Sequence, residues 1–83
     1  MEITYDQVKD AGNQAKHGLS LALATELEWE TALIWTDDRK DYGEVRQSAL
    51  VLLDDRLYFV AFVDRADARH VISLREANDR EVK

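Results

Sequence analysis

Three stretches in the second half of the chain, residues 46–53, 56–63 and 69–75, are rich in aliphatic, β-branched and aromatic residues, and short polar turns separate them. This pattern constrains the fold most, because such residues suit a pleated, half-buried surface. Asp54-Asp55 joins the first two as a tight hairpin turn without the preferred glycine, and Arg65 to Ala68 makes the second turn. Side chains alternate across a strand. Arg69, Val71, Ser73 and Arg75 are therefore expected on one face, and His70, Ile72 and Leu74 on the other. In the run from Tyr42 to Leu53, Arg46, Ser48, Leu50 and Leu52 oppose Val45, Gln47, Ala49, Val51 and Leu53. Arginines set into apolar strands leave guanidinium groups at the sheet's rim, a surface fitted to phosphate.

The first half reads as helical. Met1 to Tyr5 is a short strand-like start. Asp6 caps a helix through about Ala15 with Lys16 and His17 in its last turn, and Gly18 supplies the left-handed residue that ends it. Ser20 caps a second helix to about Trp29. Leu19 sits just before that cap, placed to staple onto Ala24, and the capping-box acid is missing because position 23 is Leu. Thr31 to Thr36 reads as a strand, Asp37 to Gly43 as a polar loop, and Glu76 onward as a closing helix. The fold class expected is α+β: a small antiparallel sheet over residues 31–75, with the helices of residues 6–30 on one face.

Eighty-three residues make one domain, 1–83, with room for a single core. The absence of cysteine excludes a disulfide framework and a thiolate metal site, and it permits a cytoplasmic location. No run approaches the roughly 18 apolar residues of a membrane span, and the acidic N-terminus does not look like a signal peptide. The charge is unevenly divided. Residues 1–38 hold eight acids and two lysines, a net −6, whereas residues 39–83 hold nine acids and nine bases, including all seven arginines. An acidic front half argues against tight non-specific RNA binding and favours a basic protein partner.

Several short motifs follow one another in a fixed order: Tyr5-Asp6-x-x-Lys9, then Asn13-x-x-Lys16-His17-Gly18-Leu19-Ser20, then Asp37-x-Arg39 with Tyr42-Gly43-Glu44-x-Arg46, and finally Ile72-Ser73-x-Arg75-x-Ala77-x-x-x-Glu81. Each is weak alone. Together, over nearly the whole chain, they resemble the BrnT-type toxins, small ribonucleases of type II toxin–antitoxin modules with a RelE-like fold. The resemblance implies RNA cleavage, growth arrest, neutralisation by a BrnA-type DNA-binding antitoxin, and a higher-order toxin–antitoxin complex. Two features depart from the family: the hairpin Leu52 to Arg56 lacks glycine, and the chain stops at Lys83 where the family continues with basic residues and a tyrosine. The expectation is a truncated C-terminal helix.

Metal-free RNA cleavage asks for few groups. A base takes the 2′-OH proton, a cation holds the phosphorane, and an acid protonates the leaving 5′-oxygen. Arginine suits the second role through its planar fork and permanent charge. Arg46 and Arg75 are the catalytic candidates for it, with Arg39 and Arg80 as RNA-binding support. The alternative for any of them is a surface ion pair, worth about 0–1 kcal/mol. His17 can move the proton or simply complement the helix C-terminus. Lys16 can contact phosphate or be a solvated cap. Glu44 can act as base or orient Arg46 or Arg39.

His70 reads as a half-buried sheet residue, Arg80 and Glu81 as a helix-surface pair, and Trp29 and Trp35 as core or interface. Tyr42 and Tyr58 can stack on a base or fill the core. No metal is expected, since the two histidines lie far apart and no carboxylates pair at ligand spacing; no cofactor is expected, since there is no glycine-rich phosphate loop. The rival reading is a catalytically inactive binding module whose acidic helices dock a basic DNA-binding partner.

Overall fold

The computed structural model describes residues 2–37 and 43–78. The chain runs β1 (Glu2–Tyr5), α1 (Gln7–His17), a 3-10 helix (Leu21–Thr25), β2 (Glu28–Asp37), β3 (Arg46–Leu53), β4 (Arg56–Arg65) and β5 (Ala68–Glu76). One five-stranded sheet results, in the order β1-β5-β4-β3-β2. The strands from β2 to β5 form an antiparallel meander. The sheet as a whole is mixed, not antiparallel, because β1 pairs parallel to β5, with Ile3 opposite Arg69 and Tyr5 opposite Val71. The chain leaves β1, crosses through α1 and the 3-10 helix, and adds the meander from the far edge inward. The residue patterns alone could not show that β1 would join β5.

Local chemistry explains the ends of α1. The Asp6 carboxylate accepts hydrogen bonds from the Val8 and Lys9 amides at 2.7 and 3.3 Å, satisfying donors that a first turn leaves open. Gly18 closes the helix at φ 73°, its N–H donating to the Gln14 carbonyl. The expected second helix is corrected: Ser20 does cap it, accepting from the Ala22 amide at 3.1 Å, but only the 3-10 helix Leu21–Thr25 forms and β2 already begins at Glu28. Asp10 explains the sharp turn into it. Its Oδ1 accepts from the Leu21 amide at 2.7 Å and the Ser20 hydroxyl at 2.9 Å, tying the turn back to α1.

The hairpin between β3 and β4 turns on Asp54 and Asp55 at φ 49° and 70°. Both lie in the left-handed region that a two-residue hairpin needs, and aspartate tolerates it better than bulkier residues do. Glu76 ends β5 rather than opening a helix, and Ala77 and Asn78 are irregular. The rest of the expected closing helix, with Arg80 and Glu81, lies outside the described residues, as do Arg39 and Tyr42.

The core lies between one face of the sheet and the helical layer. Leu21, Ala24 and Leu27 bury against Ala49, Val51, Tyr58, Val60, Phe62, Val71 and Leu74. Tyr58 is thereby a core residue. Asn13, 6% exposed, locks α1 to β5: its amide donates to the carbonyls of Leu74 and Leu19, both at 2.8 Å, and its oxygen accepts from the Leu74 amide at 3.0 Å.

Two irregularities decide which side chains share a face. In β5, Ser73 pairs with Ala61 but Val71 pairs with Phe62, so Ile72 is an extra, bulged residue. The simple alternation is corrected accordingly. Arg69, Val71 and Leu74 face the helical layer, while His70, Ser73 and Arg75 face the other side. In β2 the register shifts between Glu28 and Leu33. Trp29 consequently packs edge-on against Phe62 in the core, and Trp35 packs edge-on against Phe59 on the opposite face.

Candidate active site

Where β5 ends, α1 also ends, because Asn13 fixes one to the other. Lys16 and His17 from the end of α1, Leu19 just beyond its cap, and Arg75 and Glu76 from β5 line one open cleft of about 480 Å³. Lys16 is exposed, and His17 and Arg75 are half-buried. Three cationic or titratable candidates from opposite ends of the chain thus meet at one place. The last turn of α1 adds its own dipole, whose negative end favours cations there.

Arg75 is held in a defined posture. Its guanidinium carbon lies 4.4 Å from the centroid of the Phe59 ring, and Nη1 donates to the Glu76 carbonyl at 3.2 Å. Phe59 is braced in turn by Trp35, with ring centroids 5.9 Å apart. Stacking on an aromatic face fixes the plane of the guanidinium as well as its position.

The other candidates stand elsewhere. Arg46 pairs with Asp37 at the start of β3, and its Nε is buried. Arg75 is level with Phe59 and Leu50. Four residues along β3 and two strands across put the Arg46 and Arg75 backbones about 16 Å apart by ordinary strand spacing. Glu44 makes a two-pronged ion pair with Arg65, at 2.7 and 2.9 Å. That bond to Arg65 holds the Glu44 carboxyl below its usual range and raises the Arg65 guanidinium. Arg65 stands six residues along β4 from Phe59, about 20 Å away by strand rise. Of the two sequence readings of Glu44, base or orienting partner for Arg46 or Arg39, the contact among the described residues is an ion pair with another arginine, Arg65.

Three residues have roles that residue type alone did not reveal. Arg69 lies between Trp29 and Phe62, 4.7 and 4.3 Å from the ring centroids, and forks onto Asp64 at 2.7 and 3.0 Å. It is a structural arginine, and only the bulge at Ile72 separates it from Arg75. Asn13 was visible as part of a motif but not as the brace of the cleft. Phe59 was visible only as a strand residue; its place opposite Arg75 is a matter of register. His70 sits beside Thr4, its Nδ1 2.9 Å from the hydroxyl, joining β5 to β1.

A lysine, a histidine, a stacked arginine and a glutamate thus line one cleft at the rim of a small α+β domain. Comparison with known proteins makes the class specific. The family model "Ribonuclease toxin, BrnT, of type II toxin-antitoxin system" matches residues 5–81, and the chain belongs to that family. The crystal structure of the Brucella abortus ribonuclease toxin, BrnT, matches with a TM-score of 0.74 and 28% sequence identity, covering 95% of this chain and 99% of that one. Comparison with curated proteins gives no match.

Proposed function

We propose that this chain is a metal-independent endoribonuclease of RelE-like type that acts in the cytoplasm and is neutralised by a BrnA-type antitoxin. The observation that carries the reading is the meeting of Lys16, His17 and Arg75 in one cleft, in a chain of the BrnT family. The 2′-oxygen attacks the adjacent phosphorus, the bond from phosphorus to the 5′-oxygen breaks, and a 2′,3′-cyclic phosphate and a 5′-hydroxyl remain. Arg75 forks onto the phosphate oxygens as negative charge builds up on them. Lys16 contributes a second positive charge as a phosphate contact. His17 moves a proton, because a ring nitrogen of imidazole can take one and that of imidazolium can give one. Arg46 meets the RNA farther along the same sheet face, and Arg39 and Arg80 act as flanking contacts.

The test is single-turnover cleavage of an end-labelled RNA, with and without EDTA, beside a strand carrying a 2′-deoxy sugar at the cut. Expected are unchanged rates in EDTA, a cyclic-phosphate product and an intact deoxy strand. Loss of cleavage in EDTA would refute the metal-free route. The second reading, an inactive binding module, draws support from the net charge of −6 and from the exposed apolar residues Leu33, Ile34 and Trp35. It is the correct one if the wild-type chain binds its antitoxin tightly and cuts no RNA under any of these conditions.

A further inference from the structure

At the sheet edge opposite β1, β2 has no further strand beside it among the described residues. Soluble proteins usually blunt such edges with lysine, proline, a short strand or a covering loop. This one is ten residues long and contains neither lysine nor proline. Residues 33–36 are all exposed. Leu33 is 65% exposed and Trp35 41% on the face away from the helical layer, and Ile34 is 42% exposed on the other face. Three consecutive large apolar residues open to water on an unpaired edge mark a partner site.

We propose that β2 is the docking edge for an extended, cationic segment of a protein partner, which adds as a sixth strand beside residues 32–36. Two observations choose this occupant. The exposed apolar residues lie on both faces of the strand, so an added strand covers both, whereas a helix lying on the sheet would cover only one. The surroundings are acidic. From Glu26 to Asp37 the chain has four acids and no base, and the neighbouring hairpin presents Asp54 and Asp55, both exposed. A second copy of the chain would set acid against acid, and a nucleic acid would be repelled. A lysine- or arginine-bearing strand with apolar residues between its charges is complementary on both counts. The inference rests on the reading above that a basic protein neutralises this chain, and it assigns that partner an address. Ile34 lies three strands from Leu74, the neighbour of Arg75, about 14 Å at ordinary spacing, and on the face opposite Trp35 and Phe59, so it can be altered without touching the residues that line the cleft or hold Arg75.

The experiment is amide hydrogen exchange on the full chain, free and bound to the purified product of the neighbouring gene. Binding is expected to slow exchange at residues 32–36 at least tenfold. Ile34→Lys is expected to weaken binding at least tenfold while single-turnover RNA cleavage stays within twofold of wild type. Binding that protects other segments and leaves residues 32–36 unchanged overturns the proposal and leaves the partner reading intact. Unaltered binding with slowed cleavage in Ile34→Lys assigns the edge to RNA instead and also overturns it. Concentration-dependent protection of residues 32–36 in the free protein would assign the edge to a second copy. Failure of the wild-type chain to bind at all refutes the partner reading, and this inference with it. If Ile34→Lys does not fold, the wild-type exchange measurement decides alone.

Discussion

The guanidinium of Arg75 rests on the ring of Phe59, 4.4 Å from its centroid, the residue that strand register sets opposite it, and Arg75 also lines the cleft with His17 and Lys16. A stacked arginine is fixed in plane as well as in position. Replacement by lysine keeps the charge but loses both the stacking and the fork. Arg75→Lys and Arg75→Ala are therefore expected to slow cleavage by similar factors, about 10²–10³, the usual worth of an electrostatic transition-state donor at about 2.7–4 kcal/mol. Single-turnover rates on folded protein, checked by melting, measure this. Near-wild-type cleavage by Arg75→Lys would show that charge alone suffices.

Arg69 should behave in the opposite way. Its side chain is 14% exposed, it lies between Trp29 and Phe62, and it forks onto Asp64. Arg69→Ala removes a largely desolvated cation–aromatic contact of about 2 kcal/mol and leaves Asp64 without that partner. The expected result is a melting temperature lower by roughly 10 °C for a chain of this size, with cleavage by the folded fraction unchanged. A stable Arg69→Ala protein that cannot cut RNA would place Arg69 in the site.

These two arginines show how far the sequence could be read. Alternation found β3, β4 and β5 nearly to the residue, and aspartate, glycine and the basic last turn marked α1, because those signals are local. Lys16, His17 and Arg75 were recognisable as candidates by type and motif. Their meeting was not, because it depends on Asn13 reaching from α1 to Leu74, 61 residues away. Putting Arg69 and Arg75 on one face was the natural reading of period two, and a single extra residue, Ile72, reversed it. The shift in β2 did the same for Trp29 and Trp35. Bulges are set by packing on both sides of a sheet and leave little trace in one strand's own pattern.

Asn13→Ala tests the brace between α1 and the cleft. It would leave the buried amide and carbonyl of Leu74 without their present partner, at a cost of about 2–3 kcal/mol. Asn13→Asp should be no better, since a carboxylate keeps the bond from the Leu74 amide but cannot donate to the carbonyls of Leu74 and Leu19. Denaturant unfolding would register both losses. A neutral Asn13→Asp would mean that the two carbonyl bonds contribute nothing net.

Association with the cationic protein partner proposed above should slow as salt is raised. The net −6 of residues 1–38 attracts a cationic segment over a distance set by screening, about 10 Å at 0.1 M and 3 Å at 1 M. Stopped-flow mixing at low and high salt is expected to show an association rate falling at least tenfold, with a smaller change in dissociation. A rate indifferent to salt would locate the docking surface away from the acidic half.

Asp10 gives stability a defined pH dependence. The Leu21 amide, followed by the Ser20 hydroxyl and the Gln14 amide, bonds to its carboxylate and holds its pKa below the ordinary aspartate range. A group whose pKa is lower when folded binds protons more readily when unfolded. Its stabilisation is therefore fully present above the unfolded value, near 4, and is lost as pH falls through the lower folded value. Glu44, lowered by Arg65, acts with the same sign. Melting temperature is thus expected to fall as the pH is taken below about 4. Asp10→Asn retains an oxygen to accept from the Leu21 amide but has no proton to gain, so it should be less stable than wild type at neutral pH and show a shallower acid slope. Glu44→Gln should flatten the slope by a separate increment, because the two groups share no partners and distant sites add. Melts of the two single variants and the double variant between pH 7 and pH 2.5 measure this. A wild-type slope preserved in Asp10→Asn would show that the carboxylate's bonds to Leu21 and Ser20 do not depend on its charge.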